Sequence, residues 1–150
     1  MGFEIERKFL VTGDFKHLAI KEINILQGYL SVEPERVIRV RITENESCLT
    51  IKSTNSGEGF YKRKEWNIMI DHIMAEELMK VCLPGRIVKT RYIVPYRNHK
   101  FEVDVFHGAN EGLIIAELEL SHENEEFEKP DWLGKEVTGD PSYYNSNLLK

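Results

Sequence analysis

The feature that most constrains this chain is a two-residue alternation in which one face is apolar and the other is charged and sorted by sign. Glu4, Glu6 and Lys8 share a face opposite Ile5 and Phe9, and Arg39 and Arg41 alternate with Ile38, Val40 and Ile42. Thr50 aligns with Lys52, Arg63 with Glu65, Lys89 with Arg91, Glu102 with Asp104, and Glu117 with Glu119. Period-two patterning is the mark of strands with two distinct faces. It predicts strands at Phe3–Val11, Ile23–Val32, Val37–Thr43, Ser47–Ser53, Phe60–Ile70, Ile87–Pro95, Lys100–His107 and Leu113–Ser121. Turn residues such as Glu33-Pro34 and Tyr96-Arg97-Asn98-His99 separate them, and 53–59 reads as a mobile loop. Short helices are expected at Gly13–Ile20, at Asp71–Cys82 with Asp71 as N-cap, and near the C-terminus. Eight strands on short loops predict a mainly β (α+β) fold, an antiparallel barrel or strongly curved sheet. With 150 residues and no repeat or linker, residues 1–150 read as a single domain.

A charged strand face ordinarily faces water. Solvation gives no reason, however, to place like charges at i and i+2, ~7 Å apart along a strand. Faces turned into a barrel would instead give a lumen with an acidic wall and a basic wall. Carboxylates suit hard divalent cations such as Mg²⁺ or Mn²⁺, and lysine and arginine suit phosphate oxygens. A lumen holding both fits a metal–polyphosphate complex.

Composition narrows the partners. A formal net charge of −5 argues against nucleic-acid binding by bulk attraction to phosphate. The apolar runs fall short of the ~20 residues of a membrane span, and the charged N-terminus has no signal-peptide pattern. Cys48 and Cys82 fit no metal or disulfide spacing, in keeping with a reducing cytoplasm.

The opening Glu4-Ile5-Glu6-Arg7-Lys8 resembles the E-x-E-x-K signature of the CYTH superfamily, the triphosphate tunnel metalloenzymes. The likeness continues in order through Arg39-Val40-Arg41, Leu49-Thr50-Ile51-Lys52, Arg63-Lys64-Glu65, Thr90-Arg91-Tyr92, Val103-Asp104-Val105-Phe106 and Ala116-Glu117-Leu118-Glu119. The tail, 132–138 and 143–148, is similar to short bacterial members. The resemblance implies an eight-stranded antiparallel barrel forming a charged tunnel, with a few flanking helices. It implies that Glu4, Glu6, Asp104, Glu117 and Glu119 bind one or two divalent ions, Mg²⁺ or Mn²⁺. Lys8, Arg39, Arg41, Lys52, Arg63 and Arg91 would hold the phosphate chain, and Glu6, Lys8 and Glu65 would act on the reacting bond. One position departs from the pattern: Asn67 stands where a second acid often follows Glu65.

The implied activity is metal-dependent hydrolysis of inorganic triphosphate to pyrophosphate and phosphate. The alternatives are a class IV type adenylate cyclase, a thiamine triphosphatase and a non-catalytic polyphosphate or nucleotide sensor. Phosphoryl transfer rests on positioning and electrostatics, so the lack of a serine–histidine constellation or a P-loop is no objection. Other conspicuous residues have plainer readings. The five histidines lack ligand spacing, Trp66 and Trp132 are expected outside the lumen, Lys135 in a solvated turn, Glu102 at the rim, and Glu123–Glu128 in a solvated helix. Barrels of this size often present an apolar outer face, which leaves a homodimer open.

Overall fold

A computed structural model describes residues 2–54 and 62–149. Its strands are β1 (Gly2–Val11), β2 (Lys21–Glu33), β3 (Arg36–Ile42), β4 (Ser47–Thr54), β5 (Lys62–Ile70), β6 (Ile87–Tyr96), β7 (His99–Phe106), β8 (Ile114–Glu119) and β9 (Leu133–Glu136). All pairings are antiparallel, in the order β5-β4-β3-β2-β6-β7-β8-β1-β9, and a further pairing of β5 with β1 closes the first eight into a ring. The eight expected strands are these eight. The expected loop at 53–59 and the start of the fifth strand fall largely outside the described residues.

The ninth strand was not foreseen. It lies along β1 at Phe9–Val11, on the edge opposite β8. Four residues are too few to show a period, and Gly134 lies where a side chain would strike the Leu10 carbonyl, a Cβ at 2.9 Å.

The helices are shorter than expected. Gly13–Ile20 yields one 3-10 turn at Lys16–Leu18, and the C-terminus two, at Pro141–Tyr143 and Asn145–Asn147. Helix α1 (His72–Lys80) begins as read: the Asp71 carboxylate accepts from the Met74 amide at 2.8 Å. It packs Ala75 and Met79 on Val40 and the outer face of β2–β5. Gly28 makes this fit possible, since a Cβ there would lie 2.6 Å from the Met79 sulfur. The acidic run 123–128 is not helical. Its backbone turns instead, with the Glu125 carboxylate accepting from the Ser121 amide at 2.6 Å and pairing with His99 at 2.6 Å. The local bond to Ser121 offers the backbone an alternative to the helix, and the contact with His99 ties the turn to β7.

The alternation sends each face to its own environment. Outward residues of β1, β7 and β8 (Phe9, Phe101, Val103, Leu118) form a core with Phe15 and Trp132. Inward residues at one end of the ring (Tyr29, Ile87, Phe106, Ile115) pack with Leu148 from the C-terminal segment and fill that end. A β-bulge between Tyr29 and Ser31 shifts the register of β2 on β3 there. No helix among the described residues is long and apolar enough to cross a membrane.

Candidate active site

Closing the ring turns the charged faces inward around a cavity of about 200 Å³. Of the residues expected in the lumen, all but Asp104 line it. The strand order separates the signs. Lys52, Arg39 and Arg41, and Arg91 come from β4, β3 and β6, while Glu102, Glu117, Glu119, Glu4 and Glu6 come from the neighbours β7, β8 and β1. Two strands are mixed: β1 also brings Lys8, and β5 brings Arg63 and Glu65.

Most of these charges neutralise one another. Lys52 contacts Glu4 at 3.0 Å and Glu65 at 3.6 Å, and Arg63 reaches Glu4 at 3.2 Å. Burial alone would raise the Glu4 carboxyl, but Lys52 and Arg63 outweigh it and hold the group well below the usual carboxylate range. Glu117 is treated alike: Lys8 at 3.5 Å and Arg91 at 3.3 Å overcome its burial and hold it low.

Asp104 lies behind this layer. Its oxygens accept from Arg91 Nε at 2.8 Å and Nη2 at 2.9 Å, and from Lys89 Nζ at 2.7 Å. The structure therefore places Asp104 as the anchor of Arg91, away from the cavity surface. Glu102 is at the rim as expected, half-exposed and 3.3 Å from Arg91.

Two patches are left uncompensated. Among the described residues Arg39 and Arg41 make no ion pair. Arg39 donates to the Thr50 hydroxyl at 3.2 Å and keeps a buried Nε without a partner, and Arg41 donates to the Gln27 amide oxygen at 2.9 and 2.7 Å. Burial, Arg39 and Arg91 all push Arg41 down, to about 9. Across the ring, Glu6 on β1 pairs in register with Glu119 on β8, two like charges on one face. Neither accepts a hydrogen bond from a described residue. Burial, Glu117 and Glu4 raise the Glu6 carboxyl to about 8, and burial with Glu4 and Glu65 raises Glu119. In the ring order β3 lies four strands from β8 in either direction and three from β1 by the shorter way, so the free arginines and free carboxylates stand on facing walls.

This arrangement bears on metal binding. Among the described residues no three acids are gathered as a preformed ligand set, because Glu4 and Glu117 turn to lysine and arginine. Glu6 and Glu119 nonetheless form an acidic pair without a cation, and carboxylate oxygens are the donors that hard divalent ions take.

Residues 2–145 of the chain match the CYTH domain. The chain belongs to the CYTH family. It is 45% identical to an inorganic triphosphatase of Acetivibrio thermocellus over all of this chain and 95% of that protein. It is 36% identical to an inorganic triphosphatase of Nitrosomonas europaea, over 97% of this chain and 95% of the other. The crystal structure of an inorganic triphosphatase superposes with a TM-score of 0.69 at 33% identity, over 97% of both chains. A Pyrococcus horikoshii protein, at 21% identity and a TM-score of 0.61 over 81% of this chain and 80% of its own, shares the fold.

Several residues in the cavity or behind it are given no role by the sequence alone. Lys89 is fully buried between Asp104 and Asn145, whose Oδ1 it reaches at 3.1 Å, and burial lowers it to about 7 despite Asp104. Its signal was present, two residues before Arg91 on the same face. Tyr29 lines the cavity, as do Tyr144, Asn145 and Ser146 of the C-terminal segment. Those three belong to the 3-10 turn Asn145–Asn147 and the residue before it, which carry no strand period.

Proposed function

We propose that this chain is a metal-dependent hydrolase that cleaves inorganic triphosphate to pyrophosphate and phosphate. The observation that carries the reading is the pair of facing uncompensated patches, Arg39 with Arg41 and Glu6 with Glu119. Each lacks what the other half of a metal–triphosphate complex would bring. The names of the two full-length relatives support the same substrate.

Arg39 and Arg41 bind the phosphate chain, with planar guanidinium groups suited to its oxygens. Lys8, Lys52, Arg63 and Arg91 exchange carboxylate partners for phosphate oxygens as the substrate enters. Glu6 and Glu119, with Glu4 and Glu117 once freed of their cations, would be the residues to hold Mg²⁺ or Mn²⁺. A bound divalent ion supplies neutralisation of phosphate charge and acidification of water. Glu6 orients the attacking water and accepts its proton, Lys8 holds the terminal phosphoryl group, and Glu65 keeps Lys52 directed at the chain. Asp104 and Lys89 fix Arg91 from behind. One ion or two satisfy this scheme equally.

The lining favours the bare triphosphate: the cavity is walled almost wholly by charged and polar side chains, with little apolar surface for adenosine or thiamine. The thiols of Cys48 and Cys82, both free, suit work in the reducing cytoplasm. The test is phosphate release from tripolyphosphate, ATP and thiamine triphosphate, with Mg²⁺, Mn²⁺ or chelator. Metal-dependent release fastest from tripolyphosphate is expected. Cyclic AMP from ATP, with no phosphate from tripolyphosphate, would replace this reading with the cyclase.

A further inference from the structure

The arginine pair on β3 is free of carboxylates because of its neighbours on either side. Gln27 on β2 is in register with Arg41, fully buried, and accepts two guanidinium hydrogen bonds through one oxygen. Thr50 on β4 is in register with Arg39, and Asn67 on β5 is in register with Thr50. The Thr50 hydroxyl accepts from Arg39 at 3.2 Å and donates to the Asn67 oxygen at 2.7 Å, while the Asn67 amide donates to Glu65 at 2.7 Å. The direct partner of Arg41 is thus a neutral amide and that of Arg39 a neutral hydroxyl backed by one, where Lys8, Lys52, Arg63 and Arg91 meet acids directly.

An acid at either place would undo this. A carboxylate at 27 would sit on Arg41 in the geometry the Gln27 oxygen already has. A carboxylate at 67 would stand two hydrogen bonds from Arg39 and beside Glu65, adding negative charge at the mouth. The first would give Arg41 an internal partner that phosphate must displace, and the second would add a charge that competes with phosphate for Arg39 through space.

We propose that Gln27 and Asn67 are positioning residues that orient Arg41 and Arg39 without neutralising them, and so set the affinity for the triphosphate anion rather than the rate of its cleavage. The inference rests on the triphosphate reading above and deepens it. Neither side chain touches reacting atoms; they act through the arginines.

The experiment compares Gln27→Glu and Asn67→Asp with Asn67→Ala. Steady-state kinetics on tripolyphosphate with Mg²⁺ is paired with calorimetric titration of tripolyphosphate without metal. Each acid raises KM and weakens metal-free binding by about tenfold or more, the scale of an added charge at an effective dielectric near 20. kcat stays within about threefold. Asn67→Ala removes the hydrogen bonds without adding charge and raises KM no more than about threefold. A structural role would move Ala and Asp alike. Unchanged KM in both acid variants, or a loss confined to kcat, overturns the inference while the hydrolase reading stands. If the wild-type protein cleaves nothing but binds tripolyphosphate, and the acids weaken that binding, the hydrolase reading falls and this inference survives. Should Gln27→Glu fail to fold, the exposed Asn67 decides alone.

Discussion

Strands β3 and β6 carry nearly the same motif, Arg39-Val40-Arg41 and Lys89-Thr90-Arg91, and lie on either side of β2 in the ring. Their charges have opposite fates. On β6, Lys89 and Arg91 meet Asp104, Glu117 and Glu102 at 2.7 to 3.3 Å. On β3, Arg39 and Arg41 meet a hydroxyl and an amide. The difference follows from the next strand in the ring: β6 borders β7, which carries acids inward, whereas β3 lies between β2 and β4, which present Gln27, Thr50 and Lys52. A basic pair beside an acidic strand is held by its acids, one of which a ligand must displace, and one whose neighbouring strands present no acid is available from the start.

The sharpest way to break this comparison is to remove one arginine from each strand. Arg91→Ala leaves Asp104 buried with one partner fewer and should cost about 3–5 kcal/mol of stability, read from urea unfolding. Arg39→Ala breaks no ion pair and should change stability by less than about 1 kcal/mol while raising KM for tripolyphosphate substantially. Equal stability losses would erase the distinction. A somewhat smaller effect is expected on the acidic wall. Glu6→Gln keeps the size of the side chain, breaks no salt bridge and should lower metal-dependent turnover about a hundredfold with folding intact. Near-normal turnover would remove Glu6 from the metal and water site.

The smallest effect is a pH dependence. In the metal-free protein the Glu6 carboxyl is raised to about 8, so the folded state holds its proton more tightly than the unfolded chain does. That contribution to stability is complete below the ordinary carboxylate range and is lost as pH rises through about 8. The metal-free Tm should therefore decline between pH 5 and pH 8.5 more steeply in wild type than in Glu6→Gln, and Mg²⁺ should restore it at the upper end. Parallel curves for the two proteins would contradict the assignment.

Much of this was legible in the sequence because a strand has a period of two. The alternation gave the eight ring strands and, with the sign sorting, the inward faces; Asp71 gave the start of α1. What stayed hidden depends on partners distant in sequence. Nothing near Asp104 says that Lys89 and Arg91 enclose it, and the neutrality around Arg39 appears only when β2, β4 and β5 are laid beside β3. Strand β9 and the turns bearing Tyr144 and Asn145 are too short for a period to emerge. The run 123–128 looked helical by composition, yet Glu125 bonds to Ser121 and His99 instead.

The central claim is that the lumen keeps its free cations and free carboxylates on facing walls to receive the two halves of a metal–triphosphate complex. A crystal structure with tripolyphosphate and Mn²⁺, with manganese located by its anomalous scattering, tests it most directly. The account predicts phosphate oxygens against Arg39 and Arg41 and manganese beside Glu6 and Glu119, with Asp104 still bound to Arg91 and Lys89. Manganese on Asp104, or phosphate held by β6 with the β3 arginines unengaged, would contradict it.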